Sequence, residues 1–202
     1  MIKTIIFDLG GVYFTDGTKQ AIQSISSKYG ISPEKIEDIL KGDLGTKYRI
    51  GAVTAQEFWD QANEYWGIEA SNDELATTWF LGYEPIQGTV DIIAQLRASN
   101  YELLFLSDNV QERIDYLENK YQFLHYFKDG IFSHIVKTRK PDPAIYKLVL
   151  EKASNPPEEC LYIDDKEELL LPAQELGMRT VWFKNSEQLL EDLKNFGIDL
   201  DN

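Results

Sequence analysis

Four polar positions stand where apolar runs end. Asp8 closes Thr4-Ile5-Ile6-Phe7 and is followed by Gly10 and Gly11. Ser107 ends Leu103-Leu104-Phe105-Leu106 and leads into Asp108 and Asn109. Lys140 lies in Arg139-Lys140-Pro141, and Asp164-Asp165 terminates Leu161-Tyr162-Ile163. Each type has its chemistry and its ordinary structural alternative. Asp8 could face a ligand over glycines that permit a tight turn and a close backbone approach, or it could cap that turn. The Ser107 hydroxyl and the loop amides suit an anion's oxygens, yet Ser-Asp-Asn is also common turn chemistry. Lys140 taken alone reads as a solvated basic loop residue stiffened by its proline. Adjacent carboxylates at 164 and 165 are costly at the end of an apolar run unless a cation or donors compensate them. A hard divalent cation suits carboxylate and carbonyl oxygens, and no His or Cys cluster indicates a softer metal. His125 and His134 are expected to be packing residues.

These groups need elements that present them together. Short runs rich in branched and aromatic residues predict buried parallel strands at KTIIFDL, YELLFLSD, GIFSHIV (130–136), CLYIDD and RTVWF. Helical patterns alternate with them. The 89–99 segment places Val90, Ile93 and Leu96 on one face, Asp142-Pro143 starts another helix, and 167–176 runs to a stop at Gly177. The alternation predicts an α/β fold with a Rossmann-like, doubly wound parallel sheet. Residues 15–83 break the rhythm, being helical with no convincing strand. Ser32-Pro33 starts one helix there, and Thr54 with Glu57 and Ser71 with Glu74 read as capping boxes for two more. The expected division is a core of 1–14 and 84–202 with an inserted helical cap at 15–83. That cap would cover the sheet's C-terminal edge, where open α/β sheets bind ligands.

The chain has 202 residues, 43% of them hydrophobic and 12% aromatic, enough for one core with a modest insertion. Its 34 acidic residues against 20 Lys and Arg give a net charge of −14. Such a surface argues against nucleic-acid or membrane partners, so an anionic substrate must be drawn by local positive charge or a metal. The single cysteine, Cys160, excludes an internal disulfide and fits a reducing compartment. With no membrane-spanning or signal pattern, a cytoplasmic location is expected.

Taken jointly, FDLGGV (7–12), LLFLSDN (103–109), RKPDPAIY (139–146) and YIDD followed by AQELGM resemble the motifs of the haloacid dehalogenase-like (HAD) superfamily, in its branch with a helical cap after the first motif. The resemblance spans essentially the whole chain. It implies a Mg²⁺-dependent phosphatase acting on a small phosphorylated metabolite, a sugar phosphate among the candidates. Asp8 would be the nucleophile that forms an aspartyl-phosphate. Asp8, the Gly10 carbonyl and Asp165 would hold Mg²⁺. Ser107, Asp108, Asn109 and Lys140 would bind the phosphoryl group, with Ser107 and Lys140 also catalytic, and Asp164 would orient Lys140 or a metal-bound water. Arg139 and Lys137 could add positive potential or simply be solvated. A monomer or homodimer is expected.

Two positions depart from the family pattern. Phosphatases of this superfamily usually carry a second aspartate two residues after the nucleophile, as the acid that protonates the leaving group; here that position is Gly10. General acid help is typically worth ~10²–10⁴-fold, so simple alkyl phosphates should suffer most. The DLG form nevertheless resembles a subgroup containing a sugar-1-phosphate phosphatase. Leu169 stands where Asn or Asp commonly supports the metal site, a loss typically worth ~10–100-fold in metal affinity or activity. Asp16, or a residue lowered from the cap, could replace the acid, and Asp16 is equally suited to capping the first cap helix. Cap aromatics Trp59, Tyr65, Trp66, Trp79 and Phe80 should mostly pack, with one or two lining the crevice. The departures keep open a catalytically degenerate member that binds a phosphorylated ligand or a protein. A 2-haloacid dehalogenase ranks third, because that group resembles DxYGT where this chain reads DLGGV.

Overall fold

Every apolar run of the sequence becomes a strand in the computed structural model, which describes residues 1–200. The strands are β1 (Thr4–Phe7), β2 (Glu102–Ser107), β3 (Asp129–Phe132), β4 (Cys160–Asp164) and β5 (Arg179–Trp182). They form one parallel sheet in the order β3-β2-β1-β4-β5. Successive side chains of a strand point to opposite faces, and here both faces are covered. Ile5, Phe7, Leu103, Phe105, Leu161 and Ile163 belong to one apolar cluster, while Ile6, Leu104, Leu106 and Tyr162 belong to another. This two-sided burial is why the strands read as unbroken apolar runs.

Eleven α-helices accompany the sheet among the described residues. Six lie between β1 and β2: α1 (Gly17–Tyr29), α2 (Pro33–Leu40), α3 (Asp43–Arg49), α4 (Ala55–Trp66), α5 (Asn72–Leu81) and α6 (Gln87–Ala98). Then follow α7 (Gln111–Tyr121), α8 (Ser133–Val136), α9 (Pro143–Lys152), α10 (Leu171–Glu175) and α11 (Ser186–Asn195). Helices α6, α7 and α11 pack on one face of the sheet through residues such as Ile93, Leu117 and Leu193. Helices α9 and α10 cover the other through Ile145, Val149 and Ala173. No helix among the described residues is long and apolar enough to cross a membrane. Within the inserted helices an aromatic cluster forms the packing, with Tyr48 stacked on Phe58 at 4.5 Å and Trp59 edge-on to Trp79 at 5.9 Å.

Register sets the level of the strand ends. Phe7 pairs with Phe105 on one side and Ile163 on the other. Asp8 therefore stands level with Leu106 and Asp164, and Ser107 and Asp165 lie one residue further on. The chain leaves β1 for β2 and β3 on one side, then returns to β4 and β5 on the other. That reversal places a crevice beyond the carboxyl end of β1.

Several local expectations hold. Asp16 caps α1 by accepting from the Thr18 and Lys19 amides at 3.1 and 3.3 Å. Thr54 and Glu57 form a complete capping box. Asp142 caps α9 through the Ala144 amide at 2.8 Å. Three others change. Ser71 makes no side-chain cap bond, because Glu74 turns instead to Lys28 and Tyr29 of α1. The strand expected over 130–136 stops at Phe132, since Ser133 and His134 are drawn into hydrogen bonds with the Arg49 and Asn109 carbonyls and continue as α8. The helix expected over 167–176 is split. A 3₁₀ turn spans Glu167–Leu169, and α10 starts anew with Pro172 in its first turn, where a proline's missing amide costs nothing.

Candidate active site

Asp8 lies 5% exposed at the end of β1, its amide bonded to the Ile163 carbonyl at 2.9 Å. Lys140, 3% exposed, reaches it from the loop before α9, with Nζ 3.0 Å from Asp8 Oδ1 and 2.7 Å from Asp164 Oδ2. The same ammonium donates to the Tyr162 hydroxyl at 3.1 Å, and that hydroxyl donates to Asp164 Oδ2. The other Asp164 oxygen accepts the Lys166 amide at 2.9 Å. Asp164 is thus saturated with donors and aims the lysine. Burial alone would disfavour the Lys140 charge, but Asp164 and Asp8 more than offset it and hold the group well above the usual lysine range.

The neighbouring carboxylates are less well compensated. Burial, reinforced by Asp164 and Asp165 against the pull of Lys140, pushes Asp8 up to about 7. Burial and Asp164 likewise raise Asp165, with Lys166 opposing. One carboxylate oxygen from each of Asp8, Asp164 and Asp165 lies within 4.8 Å of the others. Asp165 Oδ1 is buried and accepts no hydrogen bond from any described group. Three carboxylates this close, with Asp164 taken up by its donors and Asp165 carrying an orphaned oxygen, leave Asp8 and Asp165 suited to a divalent cation such as Mg²⁺. A cation there would favour the ionised forms. Gly11 shapes the site directly: its φ is +93°, and a Cβ there would strike the Asp165 carboxylate. Leu169 lines the same cavity with an alkyl chain and leaves Asp165 Oδ1 undonated.

Asp108 and Asn109 do more structural work than the sequence suggested. Asp108 accepts the Lys140 amide at 3.1 Å and Arg139 Nε at 3.0 Å, so its carboxylate clamps the lysine loop to the end of β2. Arg139 also reaches Thr46 of α3 at 2.8 Å. Asn109 Oδ1 accepts from its neighbour's amide, Val110 N, and from Arg113 Nε, while its backbone carbonyl takes Ser133 and His134. His134 is thereby a structural hydrogen-bonding residue, its basicity lowered chiefly by burial. Ser107 is 1% exposed at the end of β2, within a long 3.4 Å bond from Asn109 Nδ2, and is not among the residues lining the cavity. Lys137 lies apart, its ammonium on the Gly51 carbonyl at 3.1 Å.

The cavity over Asp8 encloses about 370 Å³ and is lined by Gly10, Asp16, Asp165 and Lys166 together with Lys41, Arg49 and Arg113. None of the five cap aromatics singled out from the sequence lines it. Tyr83 does, and it fills the space above Gly10: a Cβ on Gly10 would meet its Cε1 at 3.7 Å. Gly17 is glycine because the same ring occupies the place of its Cβ. The Tyr83 hydroxyl bonds Thr18 Oγ1 at 2.9 Å and accepts Arg113 Nη1 at 2.9 Å. Tyr162, Tyr83, Arg113 and Arg49 carried no spacing signal. Only the i, i+4 relation of Asn109 and Arg113 in Asn109-Val110-Gln111-Glu112-Arg113 was available, and it is common on any helix.

A parallel sheet of this order, an acidic triplet at the end of β1 and β4, and a buried lysine between them define a hydrolase of the HAD-like class. The model of the haloacid dehalogenase-like hydrolase family matches residues 2–177, and the chain belongs to that family. A solved HAD family enzyme from Bacteroides thetaiotaomicron, in complex with magnesium and inorganic phosphate, superimposes with a TM-score of 0.79 at 28% identity, covering 92% of this chain and 96% of that one. D-ribitol-5-phosphate phosphatase from the same organism is 24% identical over 96% of this chain and 97% of its own. Flavin mononucleotide hydrolase 1 of Arabidopsis thaliana is 29% identical over 59% of this chain, which spans 48% of that protein. Across this and two further curated relatives the chain spans 36% to 62% of their length.

Proposed function

We propose that the protein is a Mg²⁺-dependent phosphatase of small phosphorylated metabolites that works through an aspartyl-phosphate on Asp8. The observation that carries this is the contact of Asp8 Oδ1 with Lys140 Nζ at 3.0 Å beside the undonated Asp165 Oδ1. Asp8, Asp165 and the Gly10 carbonyl are the groups that would hold Mg²⁺, and the ion would supply charge neutralisation for the incoming phosphoryl oxygens. The remaining work belongs to the protein. An Asp8 carboxylate oxygen attacks phosphorus as the bond to the ester oxygen breaks and the alcohol departs. Water then hydrolyses the aspartyl-phosphate to inorganic phosphate and free Asp8, so that one difficult displacement becomes two. Lys140, kept protonated, offsets charge on the phosphoryl oxygens, aided by the Ser107 hydroxyl and the Asp108 amide, whereas the Asn109 amide is already donated to Ser133 Oγ at 3.0 Å. Asp164 and Tyr162 hold the ammonium in place. Residues 15–83 act as the cap over the core formed by 1–14 and 84–200.

The test is turnover of a phosphomonoester panel with Mg²⁺ and with EDTA, alongside Asp8→Asn. Metal-dependent turnover that vanishes in Asp8→Asn is expected; no turnover of any member, or full activity in Asp8→Asn, overturns the assignment. A second reading, a member that binds a phosphorylated ligand without turning it over, draws on one observation. The place above Gly10 holds the Tyr83 ring rather than a carboxyl, and Asp16, the substitute acid that also lines the cavity, is already committed to capping α1. Turnover of aryl or sugar phosphates at enzyme-like rates would discard it.

A further inference from the structure

Two buried guanidinium groups face the same cavity and neither is in direct contact with a carboxylate. Asp108, already paired with Arg139, is the nearby acid that acts on Arg49 from a distance. Arg49 is 8% exposed and Arg113 is 2% exposed. None of the ion pairs among the described residues includes either one. Arg49 uses Nη1 alone, on the Leu40 and Gly45 carbonyls at 2.7 and 3.0 Å. Arg113 bonds only neutral oxygens, those of Asn109, Tyr83 and Asp108's backbone. Both guanidiniums stack on the Trp79 ring, their Cζ atoms 5.2 and 4.7 Å from its centroid. Burial first, then the nearness of Arg113, pushes Arg49 down to about 10. Two like charges held together out of water are costly unless something of opposite sign joins them.

The rest of the cavity shows what compensation looks like in this chain. Lys140 is met by Asp8 and Asp164, and Arg139 by Asp108. With 34 acidic residues available, the absence of a partner at Arg49 and Arg113 is not a shortage of carboxylates. Guanidinium forks match the planar, bidentate geometry of a carboxylate or phosphate. Tyr83 links Arg113 to Gly10, bonding the one and packing toward the other. We propose that Arg49 and Arg113 form a second anion subsite, so that the substrate is a phosphomonoester carrying a further carboxylate or phosphate a short linker away from the scissile group. This rests on the phosphatase reading for the scissile group, but the subsite itself does not require turnover.

The experiment compares substrates that share a scaffold and differ in the second charge. 3-Phosphoglycerate is set against glycerol 3-phosphate, and fructose 1,6-bisphosphate against fructose 1-phosphate. The ratio of kcat/KM within each pair is measured for the wild type, Arg49→Met and Arg49→Lys. Charge-assisted recognition is worth about tenfold to 100-fold. The expected result is a wild-type ratio of about tenfold or more in one pair, which also distinguishes carboxylate from phosphate. That ratio should collapse toward one in Arg49→Met and be partly kept in Arg49→Lys. Wild-type ratios near one, or an equal loss on both members of a pair in Arg49→Met, overturn the subsite and leave Arg49 as a staple between α2 and α3. Should Arg49→Met fail to fold, the wild-type ratios and Arg113→Gln decide by the same criterion. If no phosphomonoester is turned over, calorimetric titration of 3-phosphoglycerate and glycerol 3-phosphate into the wild-type protein and Arg49→Met replaces the kinetics. An Arg49-dependent preference then upholds the subsite while the phosphatase reading falls, and no preference sinks the subsite as well.

Discussion

Gly10→Asp restores a carboxyl two residues after Asp8, and the structure sets how much that can gain. The backbone at Gly10 is not in the left-handed region, and a new Cβ meets only the Tyr83 ring at an ordinary 3.7 Å, so the substitution carries no built-in strain. The carboxyl enters the cavity beside Asp8 and beneath a ring anchored at its hydroxyl by Thr18 and Arg113. A well-placed general acid contributes ~10²–10⁴-fold. Here Tyr83 restricts the approach, and the Arg113 charge behind it favours the ionised, non-donating form, which places the expected gain at the low end, ~10²-fold for an alkyl phosphate. An aryl phosphate such as p-nitrophenyl phosphate expels a stable anion that needs no proton, so its change should stay within ~3-fold. The assay is kcat/KM for glycerol 3-phosphate and p-nitrophenyl phosphate at saturating Mg²⁺, with Mg²⁺ affinity measured in parallel. Equal changes on the two substrates, or none on either with Mg²⁺ affinity intact, would refute the claim that the missing acid limits turnover.

Other expectations follow from single contacts. Gly11→Ala forces a side chain into the left-handed region at about 1–2 kcal/mol and drives a methyl against Asp165. Thermal melts should fall by roughly 2–8 °C for a chain of this size, and Mg²⁺ affinity should fall with them; unchanged Mg²⁺ binding would show that Asp165 is not a ligand. Leu169→Asn offers a donor near the undonated Asp165 Oδ1 and should tighten Mg²⁺ by ~10-fold in a calorimetric titration, whereas weaker binding would reject the supporting role assigned to that position. Glu102 is held down to about 2: burial opposes its charge, but Lys128, Ser154 and Thr4 outweigh it with hydrogen bonds. A carboxyl lowered on folding stabilises above its unfolded value of 4.5, and that contribution fades as pH drops toward about 2. Acid titrations of stability should therefore be flatter for Glu102→Gln across that window, and parallel curves would contradict the assignment.

What could be read from the chain and what could not divides along contact distance. Asp8, Ser107 and Asp164 were legible because a parallel strand buried on both faces leaves its first polar residue at its end, a local property of the chain. The Thr54–Glu57 box and the Asp142 cap were legible for the same reason, each bond spanning two or three residues. Ser71–Glu74 has the same spacing and fails, since Lys28 and Tyr29 lie 46 and 45 residues from Glu74 and offered it stronger partners. The break at Phe132 has the same origin: Ser133 finds a carbonyl 84 residues away. Tyr83 was invisible for this reason too, joining Thr18 and Arg113 across 65 and 30 residues.

The same division explains why the two halves of the cavity are charged so differently. The sheet side gathers carboxylates that its lysines do not fully neutralise: Lys140 is shared between Asp8 and Asp164, Lys166 acts on Asp165 without contacting it, and Asp165 is left with an undonated oxygen. The side built from α3 and α7 gathers two guanidiniums, Arg49 and Arg113, that no carboxylate contacts directly, since Asp108 is paired with Arg139. The unbalanced groups could lower their energy by meeting across the cavity, yet Tyr83, fixed by two hydrogen bonds and the space left by Gly17, stands between Arg113 and the Gly10 end. Two separated deficits of opposite sign call for two separate counter-charges: a cation against the carboxylates, and an anionic ligand long enough to reach past the tyrosine to the arginines. A ligand carrying only one anionic group would satisfy one deficit and leave the other, which is why discrimination between singly and doubly charged phosphomonoesters, rather than affinity for phosphate itself, should be the property most sensitive to Arg49.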